Sequence, residues 1–365
     1  MKYIDGFRNP AAAEALRRQI AGLGEALGRE AAVMEVCGSH TMAIGRYGIR
    51  DLLPANVRLI SGPGCPVCVT EAGYIDAAIA LARRGVILAT FGDMMAVPGS
   101  ASSLSDCRGD GCRIEICYSP AAALKLALGN PGSEVVFLAI GFETTIAPVV
   151  SLVDGALRHK AKNLSLLTAF KRIPPALAAL LADPEIRIDA FLCPAHVSAV
   201  IGAAAYEPFS GRGGVPCVIA GFEPLDILLG IRGVLDQLLR GAAEVDNQYS
   251  RVVRPKGNPK AREQIDRFLE PVDAAWRGIG TIPASGYSLR EPYAVYDAAK
   301  KFAIPVESGT TNPACICGDV IKGKRSPADC ALFAESCTPD HAIGPCMVSA
   351  EGTCAAYYKY SRVAS

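Results

Sequence analysis

Thiols dominate the chemistry open to this sequence, which carries 14 Cys against 4 His. Cys37 and His40 share one turn in Cys37-Gly38-Ser39-His40-Thr41. A thiolate at a helix N-terminus is favoured by the helix dipole and by free N–H groups. An imidazole three residues on can serve as a second ligand, a base for the thiol or a hydrogen-bond donor. The plainer alternative is a buried thiol beside a helix cap at Ser39 or Thr41. Cys65 and Cys68 form a C-x-x-C inside Gly62-Pro63-Gly64-Cys65-Pro66-Val67-Cys68. Such a loop either holds two thiolates on a metal or closes as a reversible disulfide, and spacing alone does not choose between them. Its glycines let backbone approach closely, and its prolines stiffen it. Six more cysteines crowd the tail: Cys315, Cys317, Cys330, Cys337, Cys346 and Cys354. Zinc ribbons prefer close C-x₂₋₄-C pairs, so four spread thiolates among these six suit a [4Fe–4S] cluster better, with structural zinc as the alternative. Spacing leaves open which four, and Cys315 and Cys317 read as the spare pair.

Other polar residues gather in two short runs. Gly141-Phe142-Glu143-Thr144-Thr145 offers Glu143 and Thr144 to a cleft or, equally, to a helix cap. Pro194-Ala195-His196-Val197-Ser198 offers His196 and Ser198, where the alternative is a satisfied core histidine. Asp93 reads as a cap or turn residue, and His159, among basic neighbours, as part of a solvated face. Cys107 and Cys112 read as exposed loop thiols, and Cys117, Cys193 and Cys217 as packing residues.

The elements that must position these groups are legible as apolar runs. Strands are expected at Ala32–Val36, Val57–Ile60, Val86–Thr90, Val135–Ile140, Leu164–Ala169, Ala190–Cys193 and Val215–Ala220, alternating with amphipathic stretches. This βα alternation predicts an α/β fold, with mostly parallel sheets flanked by helices. Five strand ends carry the unusual residues, and ligands of open α/β sheets bind at the carboxyl ends of strands, so one shared cleft is expected. Ala139-Ile140-Gly141-Phe142-Glu143-Thr144 is echoed by Ile219-Ala220-Gly221-Phe222-Glu223-Pro224, which suggests a repeated strand-turn-helix unit. Boundaries are placed to give α/β units at 1–117 and 118–246, and a loop-rich cluster module at 247–365.

Composition excludes several classes. The 365 residues have a net charge of +1, 7% aromatics and one Trp, which argues against a nucleic-acid or anionic-membrane surface. No run of 18 uncharged apolar residues is present. The first nine residues lack a basic-then-apolar region, so a reducing, cytoplasmic setting is expected for the thiols. Neither a Gly-x-Gly-x-x-Gly turn nor a Walker-type loop occurs. The missing dinucleotide turn weakens the competing reading, a dithiol oxidoreductase acting on a small substrate through Cys65 and Cys68.

Taken together, the Cys37–Thr41, Gly62–Cys68, Gly141–Thr145 and Pro194–Ser198 runs, with the tail Gly344-Pro-Cys-Met-Val-Ser-Ala-Glu-Gly-Thr-Cys354, resemble the HypD family of hydrogenase maturation proteins over nearly the full length. The resemblance implies two similar α/β domains plus a small C-terminal iron–sulfur domain. It implies a scaffold for the Fe(CN)₂CO unit of [NiFe]-hydrogenase, and so an indirect relation to the hydrogenase large subunit. Cys37 would bind the Fe(II) that carries CN and CO, shared with the small chaperone HypC, and His40 and Thr41 would line that site. Cys65 and Cys68 would be a redox pair. Cys330, Cys337, Cys346 and Cys354 would ligate a [4Fe–4S] cluster. Glu143, Thr144, His196 and Ser198 would line the cleft where HypE delivers cyanide. Thiolate is a soft ligand suited to such iron.

Overall fold

The computed structural model describes residues 5–361; the expectation for the first nine residues falls partly on Met1–Ile4, which lie outside them. Two sheets form the framework. The first holds β1 (Ala31–Glu35), β2 (Val57–Ser61), β7 (Ala190–Pro194), β8 (Cys217–Ala220) and β9 (Val245–Asn247), in the order β2-β1-β7-β8-β9. All its pairings are parallel. The second holds β3 (Ile87–Thr90), β4 (Ile114–Ile116), β5 (Val135–Gly141), β6 (Leu164–Lys171), β10 (Leu269–Trp276) and β11 (Gly280–Leu289), in the order β10-β11-β6-β5-β3-β4. Strands β3 to β6 are parallel, and the β10–β11 hairpin adds antiparallel along β6. Every residue of β1, β3, β5, β7 and β8 is buried. Continuous apolar runs, rather than alternating ones, are what sheets covered on both faces require. The expected α/β class with flanking helices is therefore what the chain adopts.

Three expectations need correction. The sheets do not divide the chain at 117 and 246: β1 and β2 build the first sheet, β3 to β6 the second, β7 to β9 return to the first, and β10 and β11 to the second. The physical reason is that parallel neighbours need a crossover, and here the crossover from β2 to β7 carries most of another sheet. The tail is also less loop-like than its Gly and Pro content suggests. Pro271 is tolerated because β10 is an edge strand, and Pro283 sits where the register shifts between Val272 and Ala274. Cys107 is a third correction. It is fully buried at the end of the Leu104–Gly109 helix, with Cys112 half-buried beside it, so this pair is not an exposed one.

The echoed hexapeptides occupy equivalent places, one per sheet. β5 leads into the Glu143–His159 helix, and β8 into the Pro224–Arg240 helix. The last helix, Thr353–Tyr360, packs on the Gly38–Arg46 helix. A Cβ at Gly45 would lie 3.1 Å from the Tyr360 side chain, and the Arg50 guanidinium stacks 4.9 Å from the Tyr357 ring. Among the described residues no helix is long and apolar enough to cross a membrane.

Candidate functional site

Cys37 is the residue at which β1 gives way to the Gly38–Arg46 helix; its backbone is extended and it occupies the N-cap. Its sulfur is buried and lies 3.5 Å from His196 Nε2. Burial pushes the Cys37 thiol up to about 12, and the nearby Glu351 carboxylate adds to the effect. Deprotonation therefore needs a cation at the sulfur, as metal binding supplies. Glu351 comes from the tail and accepts a hydrogen bond from Ser39 Oγ at 2.7 Å. Gly38 makes this approach possible, because a Cβ there would sit 2.2 Å from the Glu351 carbonyl oxygen.

The imidazoles of His40 and His196 flank the Phe222 ring at 4.7 and 5.0 Å. His40 Nε2 donates to the Gly221 carbonyl at 3.0 Å, which leaves its buried Nδ1 without a partner. Desolvation lowers both histidines to about 4, so both are neutral at physiological pH. Thr41 belongs to a buried network beneath the helix. Its Oγ1 lies 3.5 Å from Glu35 Oε1 and from Ser61 Oγ, and 3.4 Å from the Cys37 carbonyl. Glu35 Oε1 also receives Arg50 at 2.7 Å and Ser61 at 2.9 Å.

Cys65 and Cys68 are joined as a disulfide, with a Cα–Cα distance of 5.3 Å. The loop presses on Cys37: the Gly38 N–H donates to the Gly64 carbonyl at 3.1 Å, and a Cβ at Gly64 would fall 2.2 Å from Cys37 Cα. On the other side Cys68 Sγ lies 3.8 Å from the Pro345 carbonyl oxygen, next to Cys346. The disulfide is thus wedged between Cys37 and the tail thiols.

The second sheet contributes Glu143, the first residue of its helix. Its Oε1 accepts from the Ile173 N–H at 2.9 Å, Oε2 is buried without a partner, and burial raises the carboxyl to about 7. Glu143 lies within electrostatic reach of Tyr206, whose hydroxyl is 3.0 Å from Ser198 Oγ. Ser198 in turn donates to the Pro194 carbonyl at 2.7 Å. The Glu143 and His196 runs, from different sheets, therefore meet.

In the tail, Cys315 and Cys317 sulfurs are 3.2 Å apart. Cys317 and Cys346 lie close enough to Cys354 to lower its thiol to about 5, while Cys317 and Cys354 raise that of Cys346. Cys337 accepts from the Ile343 N–H at 3.4 Å and lies within electrostatic reach of Cys315 and Cys317. A Cβ at Gly344 would lie 2.6 Å from both the Cys315 and Cys317 sulfurs, so bare backbone makes room there. Among the described residues no three His, Cys, Asp or Glu side chains are arranged to hold one metal ion. A cubane, which takes one thiolate per iron, needs sulfurs spread more widely than a single ion does. A gathering of five thiols, four of them buried, around bare glycine backbone fits such a cluster by its donor set.

The family model for HypD, described as "Hydrogenase formation hypA family", matches residues 11–361. The chain belongs to the HypD family. The hydrogenase maturation factor HypD of Azotobacter vinelandii is 50% identical over 99% of this chain and 97% of that protein. The factor of the same name from Rhizobium leguminosarum bv. viciae is 46% identical over 99% and 96%, and that of Cupriavidus necator 44% over 99% and 98%.

Of the residues that HypD resemblance singles out, the structure brings Cys37, His196, Cys65 and Cys68 together, and places Thr41 beneath and His40 beside them. It brings Glu143 within electrostatic reach of Tyr206, the hydroxyl partner of Ser198, with Thr144 half-buried next in the helix. In the tail it gathers Cys337, Cys346 and Cys354. Cys330 is half-buried after a short 3₁₀ turn, and its thiol makes no hydrogen bond among the described residues. Cys315 and Cys317, read as spare, sit inside the group instead. Sequence reasoning missed Glu35, Arg50 and Glu351. Glu35 had a signal, being a lone carboxylate in an otherwise apolar strand. Glu351 had none, because its partner is 312 residues away.

Proposed function

We propose that this chain is the scaffold on which the Fe(CN)₂CO unit of a [NiFe]-hydrogenase is assembled in the cytoplasm. The ferrous cargo is bound by Cys37 and shared with the small chaperone HypC, and cyanide arrives from HypE. The observation that carries the reading is the Cys37 sulfur at a helix N-terminus, 3.5 Å from a neutral imidazole, with Gly64 of the disulfide loop packed against its backbone. Neutral His196 accepts or returns a proton at Nε2 as the thiol exchanges its proton for iron. The Cys65–Cys68 bond takes up two electrons and two protons on opening to the dithiol, and its place between Cys37 and the tail thiols suits it to pass electrons between them. Glu143, Thr144 and Ser198 line the approach of cyanide, and Glu143 holds a proton there near neutral pH.

The tail thiols suit a [4Fe–4S] cluster. Cys337, Cys346 and Cys354 would hold it, with Cys317 rather than Cys330 as the fourth. The Cys315 and Cys317 sulfurs are too close to serve two corners, and Cys317 is the one whose thiol acts most strongly on that of Cys354. When bound, the cluster supplies one-electron redox chemistry.

The test is Cys37→Ala, purified anaerobically with HypC. Iron and sulfide near four per chain should persist, by the Cys₄ logic of a cubane, while the cyanide and CO infrared bands of the complex disappear. Bands that survive remove Cys37 from its role. A second reading, a dithiol oxidoreductase, has the observed disulfide in its favour. It requires thiol-driven turnover of a small disulfide by the chain alone, although both sulfurs are buried.

A further inference from the structure

Arg277 is a buried cation with no acidic partner. It follows β10 at the hairpin turn, and its backbone N–H donates to the Val69 carbonyl at 2.9 Å, one residue beyond the disulfide. Its side chain is only 6% exposed, and its guanidinium donates to the Pro98 carbonyl at 3.1 Å. Among the described residues no carboxylate lies within ion-pair distance of it. A buried charge left uncompensated is costly, so a compensating negative charge is expected nearby.

The surroundings of Arg277 say what that charge is. Gly278, in the left-handed region at φ +78°, abuts Gly318, where a Cβ would meet Gly318 Cα at 2.3 Å. This contact of bare backbones brings Arg277 beside Cys317. Arg277, Cys315 and Cys317 line one cavity of about 340 Å³, together with Glu71 and Asp319. Desolvation lowers the guanidinium, and Cys317, Glu71, Cys315 and Cys346 oppose that in this order. Three of these four groups are thiols, which turn negative only when a metal centre takes their protons.

We propose that Arg277 is the counter-charge of the cluster held by the tail thiols and sets how readily that cluster takes an electron. The inference rests on the cluster reading above and adds a residue to it. A four-thiolate cubane is a dianion when oxidised and a trianion when reduced. A fixed positive charge beside it favours the more negative form, and net charge and solvent exposure are the levers that tune such centres. Arg277 is a positioning residue in this role: it holds charge near the redox centre and touches no substrate.

The experiment uses the full chain, reconstituted anaerobically with iron and sulfide, as wild type, Arg277→Gln and Arg277→Lys. Iron and sulfide content is measured first, then the midpoint potential by a redox titration followed by electron paramagnetic resonance. At the wild-type midpoint, Arg277→Gln should show a reduced-to-oxidised ratio at least tenfold lower, which is 59 mV for a one-electron couple. Arg277→Lys should recover most of the difference. An Arg277→Gln cluster titrating at the wild-type potential overturns the inference. Should Arg277→Gln hold no cluster, Arg277→Lys decides: retention there supports charge pairing, and loss in both overturns it. A wild-type chain without iron and sulfide would instead sink the cluster reading, and this inference with it.

Discussion

Glu143 makes a prediction whose size can be worked from its surroundings. Burial raises its carboxyl from 4.5 to about 7 in the folded chain. The folded state therefore holds a proton that the unfolded state releases. Stability contributed by that proton is fully present below the unfolded value and is lost as pH rises through about 7. At about 1.4 kcal/mol per pH unit, the whole penalty is about 3 kcal/mol, and about 2.5 kcal/mol of it falls between pH 5 and pH 8. Glu143→Gln removes the titration and keeps an oxygen to accept the Ile173 N–H. His40 and His196 titrate in the opposite sense: both are lowered to about 4, so they cost stability as pH falls below the unfolded value. They are present in both proteins and cancel in the difference. Urea denaturation at pH 5 and pH 8 should thus show the stability gap, variant minus wild type, growing by about 2.5 kcal/mol as pH rises. A gap that is constant across this range refutes the claim that Glu143 is buried with a raised pKa.

Three other perturbations test separate parts of the site. Arg50→Met leaves Glu35 buried without its cation, and should cost about 3–5 kcal/mol at neutral pH; adding Glu35→Gln should restore much of that, and a single-variant loss below about 1 kcal/mol in urea denaturation counts against the network. Cys317→Ser should lower iron and sulfide per chain after reconstitution while Cys330→Ser leaves both intact; the reverse pattern would return Cys330 to the ligand set. Gly64→Ala places a methyl 2.2 Å from Cys37 Cα, against backbone that cannot swing aside. It should cost about 1–3 kcal/mol by thermal melting and abolish the infrared bands, and wild-type behaviour in both would show that the loop does not press on Cys37.

Local pattern made the individual strands legible, because a parallel strand covered on both faces is a short unbroken apolar run and β1, β5 and β7 are of that kind. The order of those strands was not legible. Which parallel strand neighbours which is decided by long-range packing, and nothing in Ala31–Glu35 announces that its second neighbour begins at Ala190. The β10–β11 hairpin was hidden by Pro271, Pro283 and its glycines, residues that an edge strand and a register shift tolerate but that read locally as loop. The same divide runs through the site. Cys37, Cys65 and Cys68 could be picked out from their own turns, since thiols between glycine and proline at strand ends are chemically conspicuous. The gathering of Cys317 with Cys346 and Cys354 depends on how the tail folds back over itself, and spacing along the chain does not encode that.

The strand order explains why the reactive groups stand in a row. β2, β1 and β7 are consecutive in one sheet, and their carboxyl ends carry the disulfide loop, Cys37 and His196 respectively. Register holds them level: Glu35 pairs with Ser61 on one side and with Leu192 on the other, and the Val36 N–H continues the ladder to the Leu192 carbonyl at 3.3 Å. A one-residue slip between β1 and β7 would turn the whole strand face over and separate Cys37 from His196. The ladder thus gives the Cys37 sulfur an imidazole on one flank and the Cys65–Cys68 loop on the other. The tail then closes over the disulfide flank, pinned by Ser39 to Glu351 and by Arg50 to Tyr357. Because both pins sit on or just after the Gly38–Arg46 helix, a movement of that helix would be felt directly by the tail thiols behind the disulfide.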